Sequence, residues 1–119
     1  MKLTINYGDF DKLDIRVGKV IGASLPEWSQ KLVRYEVDLG EDIGTRVLFS
    51  GIRKWYLPED LIGKSIPVVI NLEPKKMGDP SAGLGQGEES QGMCIMADTG
   101  ERPCLLFLPE SLKPGTVIR

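Results

Sequence analysis

The feature that most constrains this chain is the stretch "LVRYEVDLG", residues 32–40, in which apolar and charged side chains alternate from Val33 onward. Its alternating apolar positions are Val33, Tyr35, Val37 and Leu39. Successive side chains of a β-strand point to opposite faces of the sheet, so a period of two predicts a strand with one buried face. This stretch is the clearest half-buried strand in the sequence.

Five further segments are predicted to be strands: residues 13–23, 45–50, 64–72, 92–98 and 102–108. In the first of them, Gly18 suggests a bulge or a tight bend. The segment "PEDLIG" has a proline and two acids in front and Gly63 behind, which predicts a short helix. Five or six strands and one short helix in 119 residues predict one all-β domain, 1–119, folded as a closed or nearly closed antiparallel barrel. An OB-type barrel is one such fold, and the strand pattern does not separate it from other small barrels.

The usual side chains of catalysis and metal binding are missing from this sequence. It contains no histidine, the commonest general base and metal ligand. Cys94 and Cys104 are too few for a disulfide scaffold or a zinc site. We expect them to be free thiols, approximately opposite each other in a hairpin that turns near Thr99. Ser50 lacks both a Gly-x-Ser-x-Gly elbow and a histidine. We therefore predict no enzyme activity, no metal and no cofactor.

The glycine-rich segment from residue 78 to 92 is not a phosphate-binding motif. Gly83 and Gly85 have the spacing of a dinucleotide turn, but Glu88 stands where the next glycine is required. The segment precedes a strand rather than a helix, so it is predicted to be a surface loop.

Two sequence properties predict a cytoplasmic protein. No apolar run is long enough to cross a bilayer. The start "MKLTINYGDF" lacks the apolar core of a signal peptide.

The charge distribution allows a basic surface only in the middle of the chain. The net charge is −2, yet residues 31–76 carry eight Lys and Arg against seven acids, whereas residues 77–119 carry three against six. Solvated strand faces are the ordinary explanation for such charges, and an anion-binding surface is the alternative.

Aromatic and thioether side chains lie next to these cations. Trp55 and Tyr56 follow Arg53 and Lys54, a pattern that suits either base stacking or packing at the end of a barrel. Lys75, Lys76 and Met77 follow Pro74, so at least one lysine should face solvent. Together with Met93, Met77 could contact an unstacked base through its thioether.

Several longer stretches resemble the tRNA-binding domain family, which includes the C-terminal appendage of bacterial methionyl-tRNA synthetases. The matching stretches are "DFDKLDIRVGKV" (9–20), "KLVRYEVDLG" (31–40), "VLFSGIRKWYLPEDLIGK" (47–64), "VVINLEPKKM" (68–77) and "ESQGM" (89–93). The segments "LLFLPE" and "PGTVI" resemble the family's closing segments. Together they cover essentially the whole chain.

The resemblance implies an all-β fold, a five-stranded antiparallel OB barrel with a short helix and extra terminal strands. It also implies a protein that recognises the L-shape of tRNA with a basic barrel face. The family's RNA-facing positions correspond here to Lys31, Ser50, Arg53, Asn71, Lys75, Lys76, Met77, Ser90, Gln91 and Met93, with Arg34 as a neighbour.

The resemblance leaves a second function open. CsaA-type secretion chaperones are relatives thought to bind extended polypeptide, and the loop "GEDIGTR" looks closer to theirs. Two departures from the family are Gln30, where an acid is usual, and the longer acidic loop "GDPSAGLGQGE", which could restrict access to the RNA face. The resemblance also implies a homodimer, for which "LTINY" and "CLLFLP" are candidate interfaces, and an aminoacyl-tRNA synthetase as a possible partner.

Overall fold

The computed structural model describes residues 1–78 and 88–119, and its central sheet contains the strand predicted from the alternating stretch. The long strands are β1 (Ile15–Ser24), β2 (Val33–Asp38), β3 (Thr45–Ser50) and β4 (Ser65–Val69). Six short strands follow: β5 (Lys75–Lys76), β6 (Glu89–Ser90), β7 (Met93–Cys94), β8 (Met96–Asp98), β9 (Pro103–Leu105) and β10 (Val117–Ile118). The helices are α1 (Tyr7–Phe10) and α2 (Pro58–Leu61), and α2 is the helix predicted from "PEDLIG".

The main sheet is a nearly closed antiparallel barrel, which confirms the predicted fold class. Its strand order is β3-β2-β1-β4-β7, and the terminal strand β10 also pairs with β1. The long strand β1 joins the two halves of the barrel, because its residues 15–19 pair with β4 and its residues 19–24 pair with β2. The short pairs β5–β6 and β8–β9 form separate two-stranded sheets.

Side-chain groups close the barrel between β3 and the chain around β6. The backbone N–H of Val47 donates to Oε1 of Gln91 at 2.9 Å, and the N–H of Gln91 donates to the carbonyl of Val47 at 2.9 Å. The N–H of Phe49 donates to Oγ of Ser90 at 3.2 Å. These bonds satisfy backbone groups at the edge of β3 that would otherwise lack partners.

The bulge of β1 lies at Ile21, so the prediction of a bulge at Gly18 was wrong, since Gly18 pairs in regular register with Ile66. The register with β2 shifts between Val20 and Gly22, which leaves Ile21 as the extra residue. Gly18 has another role, since a Cβ there would come within 3.1 Å of Val68 and 3.2 Å of Leu39. It allows neighbouring core side chains to approach the backbone of β1.

The hairpin register also contradicts the predicted pairing of the cysteines. Cys104 on β9 lies opposite Ala97, whereas Cys94 on β7 lies opposite Val68. The predicted strand 92–98 breaks at Ile95 into β7 and β8, which belong to different sheets. Both thiols are free, as predicted.

The barrel interior holds a polar pair among apolar side chains. The hydroxyl oxygens of Tyr35 and Ser50 are 2.6 Å apart, and both residues are buried. The apolar core around them includes Val20, Val33, Val37, Leu39, Leu48, Ile52, Leu61, Ile66, Val68 and Leu105. A buried hydroxyl with a hydrogen-bond partner avoids the cost of an unsatisfied polar group.

Burial raises the pKa of the Cys94 thiol to about 12 and that of the Tyr35 phenol well above its usual value. Above about pH 9 the unfolded chain loses the thiol proton while the folded chain keeps it, so stability falls as pH rises. We expect Cys94 to contribute a loss of up to about 1.4 kcal/mol per pH unit between pH 9 and 12. Urea unfolding over this range should show a shallower decline for Cys94→Ala, and parallel declines would contradict the prediction.

The segment before β1 exposes apolar side chains. In α1 the Asn6 side chain accepts a hydrogen bond from the N–H of Asp9 at 2.8 Å, which caps the helix. Leu3, Ile5 and Tyr7 are 94%, 61% and 72% exposed. Neither helix within residues 1–78 and 88–119 is long and apolar enough to cross a membrane.

Candidate nucleic-acid interface

The two lysines of β5 lie on the surface of a short hairpin. Lys75 pairs with Ser90 and Lys76 with Glu89, and both lysines are exposed. The N–H of Met77 donates to the carbonyl of Glu88 at 2.8 Å, which continues the ladder. Among residues 1–78 and 88–119, no carboxylate lies within ion-pair distance of either ammonium. The hairpin therefore presents two adjacent cations to solvent.

An apolar cleft lies beside these lysines, and we call it the β5–β7 cleft. It has a volume of about 460 Å³ and is lined by Phe49, Leu72, Glu73, Lys75, Met77, Ser90, Gly92 and Met93. The structure thus brings together four of the predicted RNA-facing residues: Lys75, Met77, Ser90 and Met93. Met93 is 59% exposed, so its thioether is available for contact.

Three of the residues predicted to contact RNA, Ser50, Ser90 and Gln91, use side-chain polar atoms in hydrogen bonds within the protein. The Ser50 hydroxyl bonds Tyr35, while the Ser90 hydroxyl accepts from Phe49 and donates to the carbonyl of Gly92 at 3.2 Å. The Gln91 carbonyl oxygen accepts from Val47. Gln91 remains exposed, and its role toward RNA stays a prediction.

Asn71 lies apart from the β5–β7 cleft lining and holds the segment before β1. Its Nδ2 donates to the carbonyl of Lys12 at 2.7 Å, and its Oδ1 accepts from the N–H of Asp14 at 2.9 Å. These two bonds fix the entry into β1, and no other hydrogen bond of this side chain is formed within the described residues.

Arg34 on β2 is held by two carboxylates. Its Nε lies 2.9 Å from Oε2 and 3.1 Å from Oε1 of Glu88, and Nη1 lies 3.1 Å from Oε1 of Glu36. The hydrogen bond to Glu88 is the main cause that raises the pKa of the Arg34 guanidinium. The cation predicted to face RNA is thus paired with a carboxylate beside residues 79–87. The glycines Gly83 and Gly85, and most of the acidic loop predicted to restrict access, lie outside the described residues.

A second cleft contains the remaining predicted residues, Lys31 and Arg53, and we call it the Trp55 cleft. It is lined by Gln30, Lys31, Gly51, Arg53, Lys54 and Trp55 and has a volume of about 610 Å³. The Arg53 guanidinium donates to the carbonyls of Ser29 and Pro26, the latter at 3.3 Å, and its backbone N–H donates to the carbonyl of Lys31. Arg53 therefore fixes the loop that carries Lys31.

Lys54 and Trp55 were not among the predicted site residues, although the sequence places an aromatic pair directly after two cations. The two tryptophans differ in their surroundings: Trp28 packs against Phe49 with ring centroids 5.6 Å apart, whereas the ring of Trp55 lies under Nζ of Lys54 at 5.6 Å. Tyr56 packs against the core, and its hydroxyl accepts from the N–H of Leu105 at 3.0 Å. Across the described ranges, no group of three Cys, Asp and Glu side chains could hold a metal ion.

Comparisons with known proteins agree on the class of domain. Residues 15–117 match the family model of the tRNA binding domain. The chain is 41% identical over 115 residues to the methionine–tRNA ligase of Pyrococcus horikoshii, covering 97% of this chain and 14% of that protein. It is 43% identical over 116 residues to the methionine–tRNA ligase of Methanosarcina mazei, covering 97% and 15%. The chain thus spans about a seventh of the length of these curated relatives.

Solved structures of similar proteins include two kinds. A MetRS related protein from Pyrococcus horikoshii superposes with a TM-score of 0.85 at 33% identity, covering all of both chains. The chaperone CsaA from Bacillus anthracis superposes with a TM-score of 0.80 at 32% identity, covering 98% of this chain and all of the other.

Proposed function

Because this chain belongs to the tRNA-binding domain family, we propose that it binds tRNA at the β5–β7 cleft and recognises the L-shaped RNA body rather than a base sequence. The observation that carries the proposal is the exposed pair Lys75 and Lys76 on β5, next to the apolar cleft with Met77 and Met93. Exposed lysines at adjacent positions of a strand can contact neighbouring phosphates. The neighbouring thioethers can contact a base that is not stacked.

Recognition of shape follows from the geometry of RNA helices. An A-form helix has a deep, narrow major groove that side chains cannot read, whereas its phosphates and ribose hydroxyls are accessible. Contacts from lysines to phosphates carry no sequence information. The proposed role is therefore binding without catalysis, toward many tRNAs alike.

The experiment that tests this proposal is a fluorescence titration with unfractionated tRNA, with a denatured polypeptide as the comparison ligand. We expect tRNA binding whose logarithm of affinity falls linearly with the logarithm of salt concentration, because phosphate contacts release counterions. Binding of tRNA that does not respond to salt, or no binding at all, would overturn the proposal.

A second candidate function is the binding of extended polypeptide, the expectation for CsaA-type chaperones, one of which superposes on this chain. The supporting observation is the apolar part of the β5–β7 cleft, where Phe49, Leu72 and Met93 could accept apolar side chains. Such binding is driven by apolar burial and does not weaken as salt rises. In the same titration, salt-resistant binding of the denatured polypeptide and none of tRNA would favour this function.

The exposed apolar segment before β1 supports a homodimer. Leu3, Ile5 and Tyr7 alternate with polar residues and are largely exposed, so a second copy could cover them. A two-fold pair would also offer two lysine hairpins to one RNA. Light scattering at micromolar concentration should give twice the 13.2 kDa of one chain, and a mass of about 13 kDa would contradict the dimer.

The relatives also suggest a cellular setting. We expect the domain to act in the cytoplasm with an aminoacyl-tRNA synthetase, and the relatives indicate a methionine–tRNA ligase. Affinity purification from the source cells should recover such a ligase, and recovery that persists after ribonuclease treatment would separate protein contact from a shared RNA.

Glu88 should weaken tRNA binding, because its carboxylate is bound to Arg34. Glu88→Gln is expected to tighten binding up to about fivefold, since an exposed ion pair contributes at most about 1 kcal/mol. The salt slope should steepen by about one unit if Arg34 then contacts a phosphate.

The matched control for Glu88→Gln is Glu89→Gln. Glu89 is exposed on β6 and forms no ion pair within the described residues. Both variants remove one negative charge from the same hairpin, but only the first removes a carboxylate bound to Arg34, leaving Glu36 as its remaining partner. Equal effects on affinity and slope would show that net charge alone accounts for the change.

A further inference from the structure

We propose that the Trp55 cleft is a separate RNA subsite that takes one unpaired nucleotide, with its base on the Trp55 ring and its phosphate near Lys31 and Lys54. This inference rests on the proposed tRNA binding and specifies a ligand class for a surface outside the β5–β7 cleft. It concerns single-stranded nucleotides, whereas the lysine hairpin of β5 serves the phosphates of helical RNA.

The first argument is the charge of the lining. Three of its six residues, Lys31, Arg53 and Lys54, are cations and none is acidic. In a chain whose net charge is −2, this is a local concentration of positive charge. The β5–β7 cleft, by comparison, contains Glu73 in its lining. A cleft with cations and no carboxylate favours an anionic ligand.

The second argument is the difference in packing between the two tryptophan rings. Trp28 packs against Phe49, and a Cβ at Gly78 would lie 3.3 Å from its ring. Trp55 is half-buried, has no aromatic partner among the described residues, and borders open space. Aromatic rings beside cations are the usual surface on which single-stranded bases stack.

The third argument is the volume of the Trp55 cleft. The cleft volume of about 610 Å³ falls within the range of small-molecule sites, roughly 300–1,000 Å³. Gly51 lines the cleft, and a Cβ built there would meet nothing within 4 Å, so the cleft is open beside this residue. The backbone of Gly51 does not adopt the left-handed conformation that side chains disfavour, which makes this position suitable for a blocking substitution.

Arg53 is a positioning residue in this arrangement. Its guanidinium donates to the carbonyls of Pro26 and Ser29, and its N–H donates to the carbonyl of Lys31. These bonds hold the loop that carries Lys31 into the cleft lining, so that a nucleotide can bind without the loop having to order itself.

A third cavity, of about 580 Å³, shares the lining residue Trp55 with the Trp55 cleft and Met93 with the β5–β7 cleft. Its lining also contains the acids Asp98 and Glu101, so each of the two subsites depends on its own lining and not on this cavity.

The experiment uses the two tryptophans as separate reporters. In Trp28→Phe the remaining tryptophan is Trp55, and in Trp55→Phe it is Trp28. A short single-stranded oligoribonucleotide should quench the fluorescence of the first protein strongly and leave the second nearly unchanged. A blunt RNA duplex should quench neither, because its bases are stacked inside the helix.

Two further variants measure the contribution of the subsite to affinity. Trp55→Ala should weaken binding of the oligoribonucleotide about tenfold while the salt slope stays nearly constant, because stacking releases no counterions. Gly51→Leu keeps Trp55 and should abolish the quench by filling the opening. Unchanged quenching in Gly51→Leu, or quenching confined to Trp28, would overturn the subsite.

The outcomes separate the subsite from the proposed function. If tRNA binds with a steep salt dependence but the oligoribonucleotide neither quenches Trp55 nor loses affinity in Trp55→Ala, the subsite is wrong and tRNA binding stands. If neither the unchanged protein nor any variant binds RNA, both the proposed function and the subsite are wrong.

Discussion

A protein carrying both Lys75→Glu and Lys76→Glu is expected to bind every tRNA about a hundredfold more weakly than the unchanged chain. Each lost phosphate contact, together with the new repulsion, should cost on the order of 1.4 kcal/mol, which is tenfold in affinity. Because both side chains lie exposed on β5, the substitutions should leave the barrel intact. The slope of log affinity against log salt should shrink by roughly two units.

The matched control reverses two exposed lysines elsewhere, Lys19 on β1 and Lys113 before β10. Lys19→Glu with Lys113→Glu changes the net charge by the same amount and should weaken binding far less. Met93→Ala in the β5–β7 cleft should weaken binding but leave the salt slope nearly unchanged, since a thioether releases no counterions. Equal losses in the two charge-reversed proteins would contradict a localised site. If the β5 reversals had no effect while polypeptide binding persisted, the chaperone function would be favoured instead.

Gly115→Ala is expected to lower the free energy of unfolding by about 3 kcal/mol, because a close contact and an unfavourable backbone conformation act together. Gly115 has φ +87°, and a Cβ there would lie 2.5 Å from the carbonyl oxygen of Leu39. The loop before β10 thus packs directly on the backbone after β2, and a methyl group would force the two apart.

Gly44→Ala provides the control for this effect. Gly44 has nearly the same φ, +84°, but nothing lies within 4 Å of the added Cβ. Substitution of Gly44 should therefore lower the free energy of unfolding by only about 1 kcal/mol, the cost of the unfavourable backbone conformation alone. Urea unfolding of the two variants measures the difference, and equal losses would mean that the contact with Leu39 relaxes freely.

The long strands were predictable because their signal is local. The alternation from Val33 to Leu39 is visible in seven residues, and β2 lies within that stretch. The position of the bulge was not predictable, since a glycine serves equally well at a bulge or under a close approach of side chains. Only Val68 and Leu39, which are distant in sequence, show that Gly18 has the second role.

The candidate site was predictable for its cations and less so for its polar uncharged residues. The position after Pro74 indicated correctly that lysine side chains would be exposed. Ser90 and Gln91 look identical in sequence whether they bind a ligand or the edge of β3. That choice depends on closure of the barrel, which brings them to Phe49 and Val47 over more than 40 residues of chain.

The β5–β6 ladder holds together the residues that flank 79–87, since the N–H of Met77 donates to the carbonyl of Glu88. When the two ends of a loop are held together, the entropic free-energy cost of closing the loop grows only with the logarithm of its length. Each doubling of the length adds about 0.6 kcal/mol. An insertion within β2 would shift every later side chain to the opposite face, whereas one between β5 and β6 leaves the register of the barrel untouched. The fold can therefore change length beside its lysine pair at small cost, so this connection is a suitable point for evolution, or a protein engineer, to attach a further recognition module.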